Sequence, residues 1–282
     1  MRPAFEIDAA CALNQGQRTY QEDAVIADFA RGTDVGLAVL SDGMGGHAAG
    51  DVASKIVVTE VFSELLFQRG CPAEEFERDL TVTLKDAAMA ANACLRDQVE
   101  NNPDMHGMGA TLVATVLVDR HLYWISIGDS PLFLFRDGSL QQLNEDHSLA
   151  PQIDFMLKSG LLDPEAARRH PDRNTLTSVL FGEKVPRIDC PTEPMTLRSG
   201  DLLIVASDGL QFLSDAEIAN VLRDYQSAPS AAIADRLMER IDALEDPDQD
   251  NISFSIIKLK ETETDLKNDE VWGELDEVSR VG

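Results

Sequence analysis

The chain has 282 residues, 44% of them apolar, enough to bury the core of one large α/β or two-sheet domain. Its 50 acidic against 24 basic side chains give a formal net charge of −26, which argues against sequence-independent nucleic-acid binding and against attachment to anionic membranes. The start, Met1 to Asp8, is interrupted by acids, and no later stretch reaches about 18 uninterrupted apolar residues, so no signal peptide or membrane span is expected. Cys11, Cys71, Cys94 and Cys190 are widely spaced, with neither a zinc pattern nor a C-x-x-C pair; reduced thiols and a cytoplasmic location are the expectation.

In chain order, Ala9–Leu13 reads as an opening strand and Ala24–Ala27 as a second, joined by a polar loop. In that loop Arg18 stands four and five residues ahead of Glu22 and Asp23. An arginine there can present a planar fork to a phosphate while the carboxylates face a metal. Taken alone, the residues favour a solvated surface pair. Val35–Leu40 is an apolar run feeding Ser41-Asp42-Gly43-Met44-Gly45-Gly46-His47, after which the composition turns helical. This predicts a buried strand, a glycine corner and a helix start. The corner delivers Asp42 to the mouth of a core, and its glycines let backbone carbonyls approach an ion or a phosphate.

Helices are predicted over 51–68 and 73–100, covering one sheet face, with Met89 and Cys94 as packing residues. Next come strands over 110–118, 121–128, 132–135 and 140–143, joined by turns at Asp119-Arg120 and Asp137-Gly138. They form a meander of antiparallel hairpins in which Trp124, Phe133 and Phe135 pack inward. Residues 144–190 lose this regularity: a helix is expected over 149–160, and Asp163-Pro164-Glu165 signals another helix start. The cluster Arg168, Arg169, His170 and Arg173 is unusual in so acidic a chain; it is either a flap that receives a phosphorylated partner or a solvated helix face. A strand at 202–207, a capping box at Ser214–Glu217, helices over 215–225 and 229–244, and a strand over 251–259 complete the core. After Lys260 an acidic tail carrying Trp272, Leu275 and Val278 is expected to be mobile.

Four carboxylates stand at strand ends, three of them beside glycine: Asp42, Asp129, Asp208 and Asp250. Brought together, they would repel and hold their protons unless a cation were bound. Oxygen ligation without His or Cys favours Mg²⁺ or Mn²⁺ over zinc. Spacing alone leaves open the alternative of four unrelated surface turns.

Taken together, Arg18, Glu22-Asp23, Asp42-Gly43-Met44-Gly45-Gly46-His47, Gly109-Ala110-Thr111, Gly128-Asp129-Ser130, Asn144-Glu145-Asp146-His147-Ser148, Ser207-Asp208-Gly209 and Asp250-Asn251 are similar in order and spacing to a known set. They resemble the metal-dependent serine/threonine protein phosphatases of type 2C, the PPM family, in its compact bacterial form. The resemblance covers about residues 8–260.

It implies an α+β fold: a four-layer α-β-β-α sandwich of two antiparallel sheets flanked by helices. The catalytic domain would span 1–260, with a flap-like insertion at about 149–185 and the tail at 261–282. It further implies two Mn²⁺ or Mg²⁺ ions per subunit. Asp42 would bridge them, the Gly43 carbonyl would join one, and Asp208 and Asp250 would hold the other. Glu22 and Asp23 would act through water, Asp129 with Asp208 would hold a weaker third ion, and Arg18 would clamp the substrate phosphate.

The implied activity is hydrolysis of phosphoserine and phosphothreonine in proteins by a metal-activated hydroxide, opposing a Ser/Thr kinase. The implied protein is a monomer acting on phosphorylated proteins, with Arg168 and Arg169 as substrate-binding candidates. Alternatives on the same fold are a catalytically silent phosphoprotein binder and a partner-switch phosphatase acting on an anti-sigma-factor antagonist. Met44 departs from the eukaryotic pattern, in which a histidine serves as general acid. Methionine transfers no proton, leaving that role to water or, less readily, to His47.

Overall fold

The computed structural model describes residues 5–29, 35–45, 49–70 and 73–261. His47, Cys71 and the tail with Trp272, Leu275 and Val278 lie outside the described residues.

Two antiparallel sheets form the centre. The first runs β1 (Phe5–Asn14), β11 (Ile252–Glu261), β10 (Leu202–Ala206), β7 (Leu132–Arg136), β8 (Ser139–Gln142). The second runs β2 (Asp23–Asp28), β3 (Val35–Met44), β5 (Leu112–Val118), β6 (His121–Ile127), β9 (Met195–Thr196), and β4 (Gly109–Ala110) pairs the end of β3. Helices α1 (Ala49–Gln68) and α2 (Ala73–Asn101) cover the second sheet; α5 (Asp215–Asp224) and α6 (Ser230–Asp242) cover the first.

The layering follows from side-chain alternation. Along β3, Leu37 and Val39 pack under α1 and α2, while Ala38 and Leu40 face the other sheet. Along β10, Leu202, Ile204 and Ala206 face α5 and α6, while Leu203 and Val205 face the second sheet. Each central strand is therefore buried on both faces, which is why these strands read as continuous apolar runs and not as alternating ones. The four-layer α-β-β-α sandwich expected from the sequence is the fold observed.

Local signals also match. Ser214 and Glu217 cap each other reciprocally at the start of α5, and the Asp163 side chain accepts from the backbone N–H groups of Glu165 and Ala166 at the start of α4 (Pro164–Arg168). Asp137 and Gly138 both take positive φ, 52° and 78°, as a type I′ hairpin between β7 and β8 requires. The helix expected over 149–160 is shorter, α3 (Ala150–Lys158), ending ahead of Gly160 at φ 72°.

The segment between β8 and β9 is fastened to the sandwich at several points. Ala110 pairs with Leu180, Ser126 with Asp189, and the Trp124 indole donates to the Asp189 carboxylate at 3.1 Å. Buried Asn92 on α2 accepts from the backbone N–H groups of Phe181 and Gly182, at 3.1 and 2.8 Å, and donates to the Glu183 carbonyl at 2.7 Å. Three bonds to one buried amide hold the returning limb in register.

Candidate metal centre

The centre lies where strand ends from both sheets meet. Antiparallel pairing of β2 with β3 sets Asp23 directly opposite Asp42. The Gly43 N–H donates to the Glu22 carbonyl at 3.0 Å. Asp23 is buried, and its carboxylate accepts from the Ser207 hydroxyl of the first sheet at 2.7 Å. One carboxylate thus ties the two sheets together at the site.

Thr111 fixes Asp42. The Asp42 N–H donates to Thr111 Oγ1 at 2.9 Å, the Thr111 N–H donates back to the Asp42 carbonyl at 2.8 Å, and Thr111 Oγ1 lies 2.8 Å from Ser130 Oγ. Ser130 belongs to the turn that carries Asp129. Gly128 opens that turn at φ 113°, and a Cβ added there would stand 2.6 Å from the Thr111 methyl. Asn144 holds the far side, accepting from the Leu132 N–H at 2.7 Å and donating to the Ser130 carbonyl at 2.9 Å. Fully buried His147 accepts at Nδ1 from the Gly128 N–H at 3.2 Å.

Asp208 opens a 3-10 turn after β10, packed so closely that a Cβ on Gly209 would fall 2.0 Å from the Asn251 carbonyl. Asp250 precedes β11 and accepts from Arg18 Nη2 at 2.5 Å. Buried Asn251 organises the Arg18–Glu22 loop: its Oδ1 accepts from the Glu22 N–H at 2.7 Å, and its Nδ2 donates to the Gln15 and Tyr20 carbonyls at 2.8 and 2.9 Å.

Burial, and then mutual repulsion, raises these carboxyls. Asp42 is held well above the usual carboxylate range, first by burial and then by Asp23, Asp208, Asp129 and Asp250. Burial pushes Asp23 and Asp129 up to about 7, and Asp208 up to about 6, with Asp208 further raised by Asp250. Glu22 is raised by burial, against the opposing pull of Arg18. The four strand-end carboxylates, for which spacing alone leaves separate surface turns as the alternative to one acidic site, line one cleft.

The cleft fits hard divalent ions. Its donors are all oxygens, and glycine at position 50 leaves the space that the Glu22 carboxylate fills, since a Cβ there would stand 2.4 Å from Oε1. Among the described residues no three carboxylates close on one point as a cage. Spread carboxylates around Asp42 suit ions that keep part of their water shell, the habit of Mg²⁺ and Mn²⁺.

Of the expected site residues, Arg18, Glu22, Asp42, Gly43, Asp129, Asp208 and Asp250 line one hollow of about 390 Å³, with Asp23 beneath Asp42. Met44 lines it as well. Arg168 and Arg169 are not brought to it: their side chains are 75% and 82% exposed, and both reach Glu165 on their own helix, at 3.8 and 3.0 Å. The basic cluster divides at Arg173, which forks onto Asp154 at 2.7 and 3.1 Å and stands beside the cleft with Asn174. Thr111, Asp146 and Asn251 stand within the sequence motifs, which by themselves give them no role. Asn174 had no signal at all, since only the folded insertion brings it to the site.

Two packed antiparallel sheets between helix pairs, with an acidic oxygen-donor centre where strand ends from both sheets meet, define the class of α-β-β-α metal-centre proteins. The chain belongs to the protein phosphatase 2C family, whose family model it matches over residues 14–251. It is 37% identical over 216 residues to the serine/threonine protein phosphatase PstP of Mycobacterium tuberculosis, covering 76% of this chain and 38% of that protein. The chain thus spans about two fifths of that relative's length. Over 199 residues it is 32% identical to the serine/threonine phosphatase Stp of Listeria innocua, covering 70% of this chain and 75% of that one. The crystal structure of M. tuberculosis PstP superposes with a TM-score of 0.73 at 33% identity, over 90% of this chain and 99% of that one. The PstP catalytic domain, in complex with two manganese ions, superposes with a TM-score of 0.72 at 31% identity, over 90% and 99% of the two chains.

Proposed function

We propose that this protein is a divalent-metal-dependent phosphatase of phosphoserine and phosphothreonine in proteins, countering a Ser/Thr kinase. The observation that carries the reading is the convergence of Asp23, Asp42, Asp129, Asp208 and Asp250 in one cleft beneath the Arg18 guanidinium. Asp42, the Gly43 carbonyl, Asp208 and Asp250 would hold two Mn²⁺ or Mg²⁺ ions, Glu22 and Asp23 would act through water, and Asp129 with Asp208 would hold a weaker third. Such ions supply a nucleophile from water at neutral pH and neutralise charge on the phosphoryl group.

Arg18 binds the equatorial phosphate oxygens, where its fork offers paired donors. Water adds to phosphorus as the bond to the seryl oxygen breaks, and the electron pair leaves on that oxygen. Met44, 36% exposed at the cleft, has no proton to give, so the leaving oxygen takes its proton from solvent. A silent phosphoprotein binder would have no use for so unfavourable an acidic cluster. Among the described residues no helix is long and apolar enough to cross a membrane. We take the protein to be a cytoplasmic monomer, its widely spaced cysteines being those of a protein with reduced thiols.

The test is hydrolysis of a small aryl phosphate with Mn²⁺, with Mg²⁺ and with chelator. Turnover restored by metal is expected; a folded protein inert under every metal overturns the reading. Arg168 and Arg169, exposed on α4, are proposed to meet the body of a folded substrate protein. Arg168→Ala with Arg169→Ala is expected to lower kcat/KM severalfold on a whole phosphoprotein, in line with about 0.5–1 kcal/mol per exposed charge, and less on the aryl phosphate. Equal losses on both substrates would remove that role.

A further inference from the structure

Three hollows run into one another across the centre. The hollow of about 390 Å³ that holds Asp42 shares Arg18, Glu22 and Gly45 with a hollow of about 310 Å³ on the Tyr20 side. On the other side it shares Asp129, Asn174 and Asp208 with a hollow of about 430 Å³ that reaches Ser148, Arg173, Gln211 and Phe212. We infer that these form one groove for an extended phosphorylated segment, in which Tyr20 and Phe212 receive substrate residues on opposite sides of the phosphorylated one.

The inference rests on the phosphatase reading and deepens it by naming the substrate class. With the phosphate at Arg18, an extended chain advances about 3.3 Å per residue and turns alternate side chains to opposite walls. Residues on either side of the phosphorylated one would then enter the flanking hollows, which share lining residues with the central one. Tyr20 is 48% exposed on a loop pinned by Asn251 and presents a large aromatic face to the hollow that it lines. Phe212 lies in the 3-10 turn Asp208–Phe212, which buried Leu210 anchors to the core. The facing wall is set by Arg173, locked on Asp154, and by the backbone bond from the Arg173 N–H to the His170 carbonyl. Walls fixed in advance lose little entropy when a segment binds.

Charge narrows the class further. Glu22 lines the Tyr20-side hollow beside Arg18, whose charge Asp250 answers, and Asp146 lines the other with Asp129 and Asp208, while the Arg173 charge is answered by Asp154. Acidic residues beside the phosphorylated one are repelled, and apolar or basic residues are accepted on the aromatic faces. A phosphoserine inside a folded helix cannot reach along the groove and is a poor substrate.

The test compares kcat/KM for an aryl phosphate, phosphoserine and phosphoserine peptides extended by two alanines on the N-terminal side, the C-terminal side or both, all with Mn²⁺. The peptide extended on both sides is expected to exceed phosphoserine by roughly tenfold or more, because remote contacts are used in the transition state. Replacing the flanking alanines by glutamate should remove that gain. Tyr20→Ala and Phe212→Ala should each remove the gain from one side, and opposite sides. Aryl phosphate turnover with equal kcat/KM for phosphoserine and all peptides overturns the groove and leaves the phosphatase reading standing. Absence of aryl phosphate turnover overturns that reading first. Because the peptide series uses the unaltered protein, a misfolded variant does not remove the test.

Discussion

Asp42→Asn is expected to lower turnover of an aryl phosphate by roughly a thousandfold or more, and to weaken Mn²⁺ binding, since ions at such a centre supply several kcal/mol of transition-state stabilisation. The same substitution is expected to stabilise the metal-free protein at neutral pH. Asp42 stands deep in the cleft among Asp23, Asp208, Asp129 and Asp250, and both burial and repulsion oppose its ionisation. An amide of nearly the same shape carries no charge and keeps the backbone bonds to Thr111. The gain should be on the order of 1–3 kcal/mol, the usual scale for removing an uncompensated buried group. Titration calorimetry with Mn²⁺, steady-state kinetics, and urea unfolding in chelator read the three effects separately. A variant that keeps tight Mn²⁺ binding and full turnover would show that Asp42 is not the shared ligand. Loss of activity combined with gain of stability is the mark of a site held in an unfavourable state for function.

The metal-free protein is expected to be more stable near pH 5 than near pH 8. In the unfolded chain an aspartate ionises near about 3.9, whereas in the folded chain Asp23 and Asp129 are pushed up to about 7 and Asp208 to about 6. Between those values the folded state binds more protons than the unfolded state, so stability falls as pH rises. The contribution is fully present below about pH 4 and is lost by the time pH has passed the folded values, on the order of several kcal/mol for the cluster together. Divalent ions compete with those protons, so Mn²⁺ affinity should climb over the same window, and saturating Mn²⁺ should remove the decline. Urea midpoints at pH 5, 6, 7 and 8, with and without Mn²⁺, check this. The chain's overall charge of −26 also favours lower pH through self-repulsion. Asp129→Asn separates the two: it should flatten part of the decline if the cluster is responsible, and an unchanged profile would assign the whole effect to general repulsion.

Which features were legible in the sequence follows from how far each signal reaches along the chain. The β3 run and its glycine corner were legible because burial on both faces demands apolar residues and the turn demands glycine. The capping box at Ser214–Glu217 and the hairpin at Asp137-Gly138 were legible for the same local reason, as side chain and backbone within four residues fix each other. The basic cluster was legible only in part: its three arginines look alike in sequence. Yet Arg168 and Arg169 satisfy themselves on Glu165 one turn away, while Arg173 finds Asp154 on α3. Nothing local distinguishes a charge that faces solvent from one that forms a wall.

Residue type and short-range geometry specify the long strands, the tight turns and the identity of each carboxylate-bearing corner, whereas the two-residue β9 carries no such signal. That the corners share a site depends on pairing between residues far apart in the chain. Asp23 meets Asp42 through the register of β2 and β3, and Ser207 joins them from the other sheet across 184 residues of chain. Asn251 then holds the Arg18–Glu22 loop from more than 200 positions away, its amide bonded to the Glu22 N–H and the Tyr20 carbonyl. Long-range hydrogen bonds and electrostatic coupling leave no periodic trace in the chain, since they need only one suitable side chain at each end and a fold that brings the ends together.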